Sequence, residues 1–471
     1  MDGAAVNEKM SQTRSRMLLR EKMGAKALAL SLVEEVEGTP DGFAEAPGHS
    51  GIAFFPATGA PVAFPASVVD SRRVLALPPE LLAEIFLHCL PDVEFIKPDI
   101  TSSPLILYGI CRHFREIALS TPGLWSSLSF ETESAPEAKR IELIIAGLSP
   151  QWRNIDLEFT PFLALLLPPP RKFYLLEKLA FTVPSCGPNF QLSLYDAPKL
   201  CQVHARIYHP VGLHIPWNQI TVNRMTCRNF RTCIKILPYL PNLVNGTFEV
   251  DRYNSPTEPI SVPPLLRLRS LTVVGSGESG ESVPMHILDH FTAPSLKTLT
   301  LRFPYHRPMV ASETAPLISF ASRSSFQLQT LSLSLALTAE AVVQCLEALP
   351  SLARLKVMIE PLGADSIAAV LRQFTKNRQF LPKLESLHTI LVAISPFECQ
   401  PPPISVAVLI ELLHWRRASE GVTQLKSFQL AYDSKTLFDR AVDSDSEEFR
   451  PFSAEGMELY VGSLRPSIDD Y

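Results

Sequence analysis

Beginning at Leu77 the chain reads LPPELLAEIFLHCL, in which apolar residues recur as neighbouring pairs once per helical turn. Pro78 and Pro79 mark a helix start, because the N–H that proline lacks would be unpaired there in any case. Leu81, Leu82, Ile85, Phe86, Cys89 and Leu90 then form a broad apolar stripe, leaving Glu80, Glu84 and His88 as the polar remainder. The stripe is wider than one helix needs to seat itself on a core. Two further helical segments follow, PLILYGICRHF and then REIALS, the second stopping before Thr121, Pro122 and Gly123. Residues 75–130 therefore read as a small all-helical unit. A unit of this size buries only about 60% of its unfolded surface, so a partner would help to stabilise it.

Beyond residue 150 the pattern changes to a repeat. LLEKLAF, PNLVNGTFEV, LRLRSLTV, PSLKTLTL, FQLQTLSL, PSLARLKV, PKLESLHT and TQLKSFQL share the form L-x-x-L-x-L or come close to it, with APKLCQVHARI and WNQITVNRM as degenerate members. The anchors are Leu176, Leu200, Ile220, Leu243, Leu268, Leu296, Leu328, Leu352, Leu384 and Leu425, at intervals that lengthen in the later units. Alternation over a short stretch predicts a strand with one buried face, and intervening stretches such as TAEAVVQCLEALP and DSIAAVLRQFTK predict helices. Such a unit can bury its apolar side only by stacking on the next. The expected α/β architecture over 150–435 is an irregular solenoid with a parallel sheet on its concave face. An ordinary α/β domain is the alternative.

Flanking segments differ in texture. Residues 1–70 pass from a charged start to a Gly-, Pro- and Ala-rich stretch without periodicity, which suits a linker or disorder. After Tyr432 an acidic run suggests a solvated tail over 436–471. A net charge of −5 gives no electrostatic reason to expect nucleic acid as a partner. Hydrophobic content of 46% points to large cores, yet no apolar run reaches the roughly 18 residues of a membrane span. The N-terminal segment does not read as a signal peptide. Eight cysteines without a C-x-x-C pair fit reduced thiols in the cytoplasm or nucleus.

Motifs for catalysis are weak. Gly275, Gly277 and Gly280 fit G-x-G-x-x-G, but Glu278 and Glu281 put negative charge where a pyrophosphate would lie, and Pro284 delays the helix. His204, His209 and His214 recur at a step that suits neither a helix face nor a strand face, so no metal is expected. Asn245 and Gly246 open a glycosylation-type triplet that reads instead as a turn. LLLPPPRKF is read as an ordinary loop in preference to a polyproline ligand. Neither an enzyme nor a cofactor is indicated.

The helical unit carries three ordered signatures: LPPELLAEIF from Leu77 to Phe86, Cys111-Arg112-His113-Phe114, and Thr121-Pro122-Gly123-Leu124-Trp125. Together they resemble the F-box, and with the L-x-x-L array behind them the chain looks most like the F-box-like families of mushroom-forming fungi. It departs from that pattern in the segment DVEFIKPDITSS, which lengthens the first connection, and in lacking a recognisable N-terminal coiled coil. The resemblance implies that the first helix leaves apolar surface for the Skp adaptor of a cullin-type (SCF) ubiquitin ligase. It makes Leu77, Pro78, Leu81, Ile85 and Phe86 the contact patch, with Arg112, Phe114 and Trp125 extending or shaping it. The leucine-rich repeats would then hold an unknown protein substrate. A repeat scaffold without ligase function and a nucleotide-dependent enzyme built around Gly275 to Gly280 are the rival readings.

Overall fold

The computed structural model describes residues 75–97, 102–131, 151–158, 173–183, 191–193, 196–207, 212–252, 262–275, 284–303, 311–334, 337–359, 364–391, 405–432 and 446–463. The stretch 1–70 and the segment LLLPPPRKF up to Lys172 lie outside the described residues. The chain divides into two compact units, with the boundary at Asp156/Leu157. In the first are helices α1 (Pro79–His88), α2 (Leu105–Ile110) and α3 (Arg112–Ser120), a 3-10 turn (Pro122–Trp125) and strand β1 (Ser127–Glu131), and β2 (Asn154–Glu158) begins there. In the second come β3 (Lys178–Val183), β4 (Gln191–Ser193), β5 (Gln202–Ile207), β6 (Gly212–His214), β7 (Val222–Asn229), α4 (Phe230–Ile236), β8 (Asn245–Arg252), β9 (Ser270–Gly275) and β10 (Thr298–Arg302). They are followed by α5 (Ala315–Ser324), β11 (Thr330–Ser334), α6 (Ala339–Glu347), β12 (Arg354–Ile359), α7 (Ala364–Lys376), β13 (Ser386–Leu391), α8 (Val406–Ala418), β14 (Ser427–Tyr432), α9 (Arg450–Ala454) and β15 (Glu458–Ser463).

This is an α/β fold with an open 13-stranded sheet in the order β1-β2-β3-β5-β7-β8-β9-β10-β11-β12-β13-β14-β15, and β4 pairs with β6 apart from it. From β3 onward each strand of the main sheet runs parallel to the next. Strand order follows chain order without the reversal that creates a nucleotide crevice in doubly wound folds. Each L-x-x-L-x-L segment is one strand preceded by its anchor, and every anchor is at most 2% exposed. The registers align the second leucine of the motif from strand to strand, as Leu271↔Leu299↔Leu331↔Leu355↔Leu387.

The turn before each strand is also repeated. The anchor N–H donates to the carbonyl three residues back in Leu200→Ala197, Leu243→Leu240, Leu296→Ala293, Leu352→Leu349 and Leu384→Leu381, at 3.1 to 3.3 Å. Proline occupies the second position of all five turns (Pro198, Pro241, Pro294, Pro350, Pro382), where its fixed φ matches a type I turn. The residue after each anchor donates to the preceding unit: Arg269 to Val244, Lys297 to Arg269, Gln329 to Lys297, Ala353 to Gln329 and Glu385 to Ala353, at 2.8 or 2.9 Å. Backbone groups that would otherwise be stranded at the strand entrance are thereby paired from unit to unit.

The structure corrects several expectations. Asn245 and Gly246 are not in a turn: they open β8. Residues 446–463 are not a solvated tail, because β15 pairs with β14 while Phe449, Phe452 and Val461 are buried. The second helical segment ends earlier than its apolar pattern predicts, since Cys111 is extended and its thiol accepts the Phe114 N–H at 3.4 Å, capping α3. Asn223 stands where the repeat calls for leucine, between Val203 and Gly246 in register, 1% exposed and with neither side-chain polar atom hydrogen-bonded. No helix among the described residues is long and apolar enough to cross a membrane.

Candidate partner-binding surfaces

In the first unit α1 begins where proline allows it, with Glu80 in its first turn, a charge that suits the helix dipole. Leu82 and Phe86 turn inward at 0% and 2% exposure. Phe86 meets Phe114 of α3 edge-to-face, with ring centroids 5.0 Å apart. Trp125 is 2% exposed and its indole N–H donates to the Ala118 carbonyl at 2.8 Å, while the Thr121 hydroxyl donates to Ile117 at 2.7 Å. At Gly123 a Cβ would come within 2.7 Å of a methyl of Leu87, so the closing turn lies hard against α1.

The eight sequence-predicted contact residues thus separate into two sets. Phe86, Phe114 and Trp125 are core and offer no surface, which corrects the reading of Phe86 as a contact and leaves Phe114 and Trp125 to shape the patch from beneath. Leu81 is 52% exposed, Pro78 is exposed, and Leu77 and Ile85 are half-buried. Leu81 and Ile85 are one helical turn apart, and helical spacing places them along the border of the stripe that Leu82 and Phe86 bury. This answers why α1 has apolar residues beyond its own needs: part of the stripe stays uncovered. The Arg112 side chain is 90% exposed and pairs with Glu116 at 2.9 Å on the same helix. Sequence reading missed Val93, Leu119 and Tyr108, exposed apolar residues of the same unit. It also missed that Ile96, in the segment after α1, bridges Leu128 and so pairs with β1.

The second unit presents the other face of its sheet. The positions between the buried leucines form rows across the strands. One runs His204, Arg224, Thr247, Thr272, Thr300, Ser332, Lys356, His388 and Gln429. The next runs Gln202, Val222, Asn245, Ser270, Thr298, Thr330, Arg354, Ser386 and Ser427. From β9 to β14 none of the facing positions carries a carboxylate, in a chain whose net charge is −5. Towards the other end, Arg224 pairs with Glu249 at 2.8 Å and the Thr226 hydroxyl donates to the same carboxylate at 2.8 Å. Burial raises the Glu249 pKa, but the hydrogen bonds from Thr226 and Arg224 and the charges of Arg224 and Arg206 outweigh it and leave the carboxyl below its usual value. His388 is lowered, first by burial and then by the charge of Lys356.

Only part of each motif lies among the described residues. Gly275 ends β9, the rest of the glycine motif lies outside the described residues, and the next described element is a 3-10 turn (Pro284–His290). His204 lies on the main sheet and His214 on the separate β4–β6 pair, while His209 is outside the described residues. Among the described residues no group of three or more His, Cys, Asp or Glu side chains could hold a metal. The chain matches no protein-family model and no curated protein.

Proposed function

We propose that this chain is the substrate-selecting subunit of an SCF-type ubiquitin ligase. Its helical unit is an F-box that docks on the Skp adaptor through Leu77, Pro78, Leu81 and Ile85. Its sheet is a leucine-rich-repeat solenoid that holds a protein target in the cytoplasm or nucleus. The contribution to rate is effective concentration, since target and ubiquitin-carrying enzyme are held in one assembly. The observation that carries this reading is the half-exposed Leu81 beside Ile85, on a helix whose inward face is already filled by Leu82 and Phe86. An uncovered pair of large apolar residues on an ordered helix is the kind of anchor on which stable interfaces are built.

The test is a pull-down of the purified chain with Skp adaptor, run beside the Leu81→Asp/Ile85→Asp double variant. Charge on a surface that becomes desolvated finds no partner, so the variant loses adaptor binding by about 100-fold or more while the repeat sheet stays folded. Unchanged adaptor affinity in a folded double variant overturns the assignment of this surface. A folded parent that does not bind the adaptor removes the ligase reading.

A further inference from the structure

We propose that the edge of the sheet at which β8, β9 and β10 begin docks on an anionic phospholipid surface. Among the described residues of the second unit the exposed large apolar side chains are Tyr174, Tyr239 and Leu266, and all three lie at strand entrances. Two further entry turns have the form described above, with Leu176 donating to Phe173 at 3.2 Å and Leu268 to Leu265 at 3.3 Å. Their second positions hold Tyr174 and Leu266 where the turns before β8 and β10 hold Pro241 and Pro294, so a free apolar side chain stands where its neighbours have a ring tied to the backbone. Tyr239, 63% exposed, immediately precedes the Leu243 turn, and Leu266, 62% exposed, belongs to the next strand of the sheet. Neighbouring strands are about 4.8 Å apart, so the two tips can meet one surface together. Arg267 and Arg269 flank the anchor Leu268, Lys297 follows the anchor Leu296, and all three cations are exposed. Among the described residues none of the three is paired with a carboxylate. No Asp or Glu occurs in 237–244, 264–269 or 292–297, in a chain whose net charge is −5. Glu177 and Asp196 lie at the entrances of β3 and β5, which confines the cationic edge to β8–β10. An anionic leaflet takes both kinds of group at once: its phosphate oxygens accept from Arg and Lys, while Tyr sits at headgroup level and Leu reaches the acyl boundary. A soluble polyanion would satisfy the cations and leave Leu266 and Tyr239 in water. Attachment of this kind needs no spanning helix.

The experiment is co-sedimentation of the full chain with phosphatidylcholine vesicles, with and without about 30% phosphatidylserine. Oligouridine and polyglutamate of matched charge are added as competitors. The anionic vesicles are expected to bind about 100-fold more tightly than the neutral ones, since three cations at an anionic leaflet contribute about fivefold each. Arg267→Gln/Arg269→Gln/Lys297→Gln should remove that preference at an unchanged unfolding midpoint. Leu266→Ser/Tyr239→Ser should weaken binding to the anionic vesicles about tenfold or more, because the apolar tips no longer leave water. Should the triple variant unfold, Arg267→Gln alone, at an exposed position outside the strands, is read for a loss of about fivefold. Equal sedimentation with both kinds of vesicle, none with either, a preference that survives in the folded triple variant, unchanged binding in the folded apolar variant, or tighter binding of oligouridine or polyglutamate than of the anionic vesicles each overturns the proposal. Adaptor docking belongs to the other unit and is measured separately, so neither result decides the other.

Discussion

Glu249 shows how much a single side chain on the open face can report. Its carboxylate is held below its ordinary pKa, so it contributes stability that is present above the unfolded-state value and lost as pH falls through the folded-state value. Glu249→Gln should therefore cost about 1 kcal/mol at neutral pH, a charge-assisted pair discounted for partial exposure. The gap to the parent should close as pH falls below the ordinary value of 4.5, as measured by urea unfolding at a series of pH values. A gap independent of pH would mean that the Arg224 and Thr226 bonds act through shape alone. At this scale the sequence was legible where burial follows periodicity, as at the leucine anchors. It was not legible where residue type is ambiguous: Phe86, Phe114 and Trp125 are as fit for an interface as for a core, and only packing decides. Arg416, 2% exposed, is the opposite case. Burial lowers its pKa to about 10, and it donates to the Leu381 carbonyl at 3.0 Å, the acceptor of the Leu384 turn. Nothing in its local pattern, WRRA, separates it from its exposed neighbour Arg417.

Between elements, the strand-entry turns and the motif leucines set how closely units stack. Gly246 occupies a position that other units fill with leucine, and a Cβ there would lie 3.0 Å from Phe248 and 3.2 Å from Leu243. Restoring the motif residue with Gly246→Leu should accordingly destabilise, by about 1–3 kcal/mol, because the space already belongs to Phe248 and Leu243. Equilibrium urea denaturation checks it, and a more stable variant would show that the site holds unfilled room. Strands with the L-x-x-L-x-L pattern were legible because alternation on a half-buried surface has few other solutions. The short β4 and β6 were not, because three residues hold too little of any period to stand out. The proline turns were visible as Leu-Pro or Ala-Pro pairs, but their bonding is a relation between units and is not written in any one of them.

For the whole molecule, β15 closes the order of the sheet rather than trailing from it. Truncation after Tyr432 removes Phe449, Phe452 and Val461 and bares β14, whose Phe428 and Leu430 are 1% and 2% exposed in the intact chain. We expect a loss of about 3 kcal/mol or more from the apolar area given up and self-association through the new edge, visible as a lower unfolding temperature and larger particles in light scattering. An unchanged melting profile would make the last strand dispensable. The order of strands followed from the repeat, since units that pair with their sequence neighbours leave no other arrangement, whereas the end of the array was hidden because ELYVGS lacks the motif. Spatial order that equals chain order also governs how the molecule is made. Each strand leaving the ribosome finds its neighbour already in place, so a nascent chain can settle one unit at a time, and synthesis itself becomes the assembly sequence of the sheet.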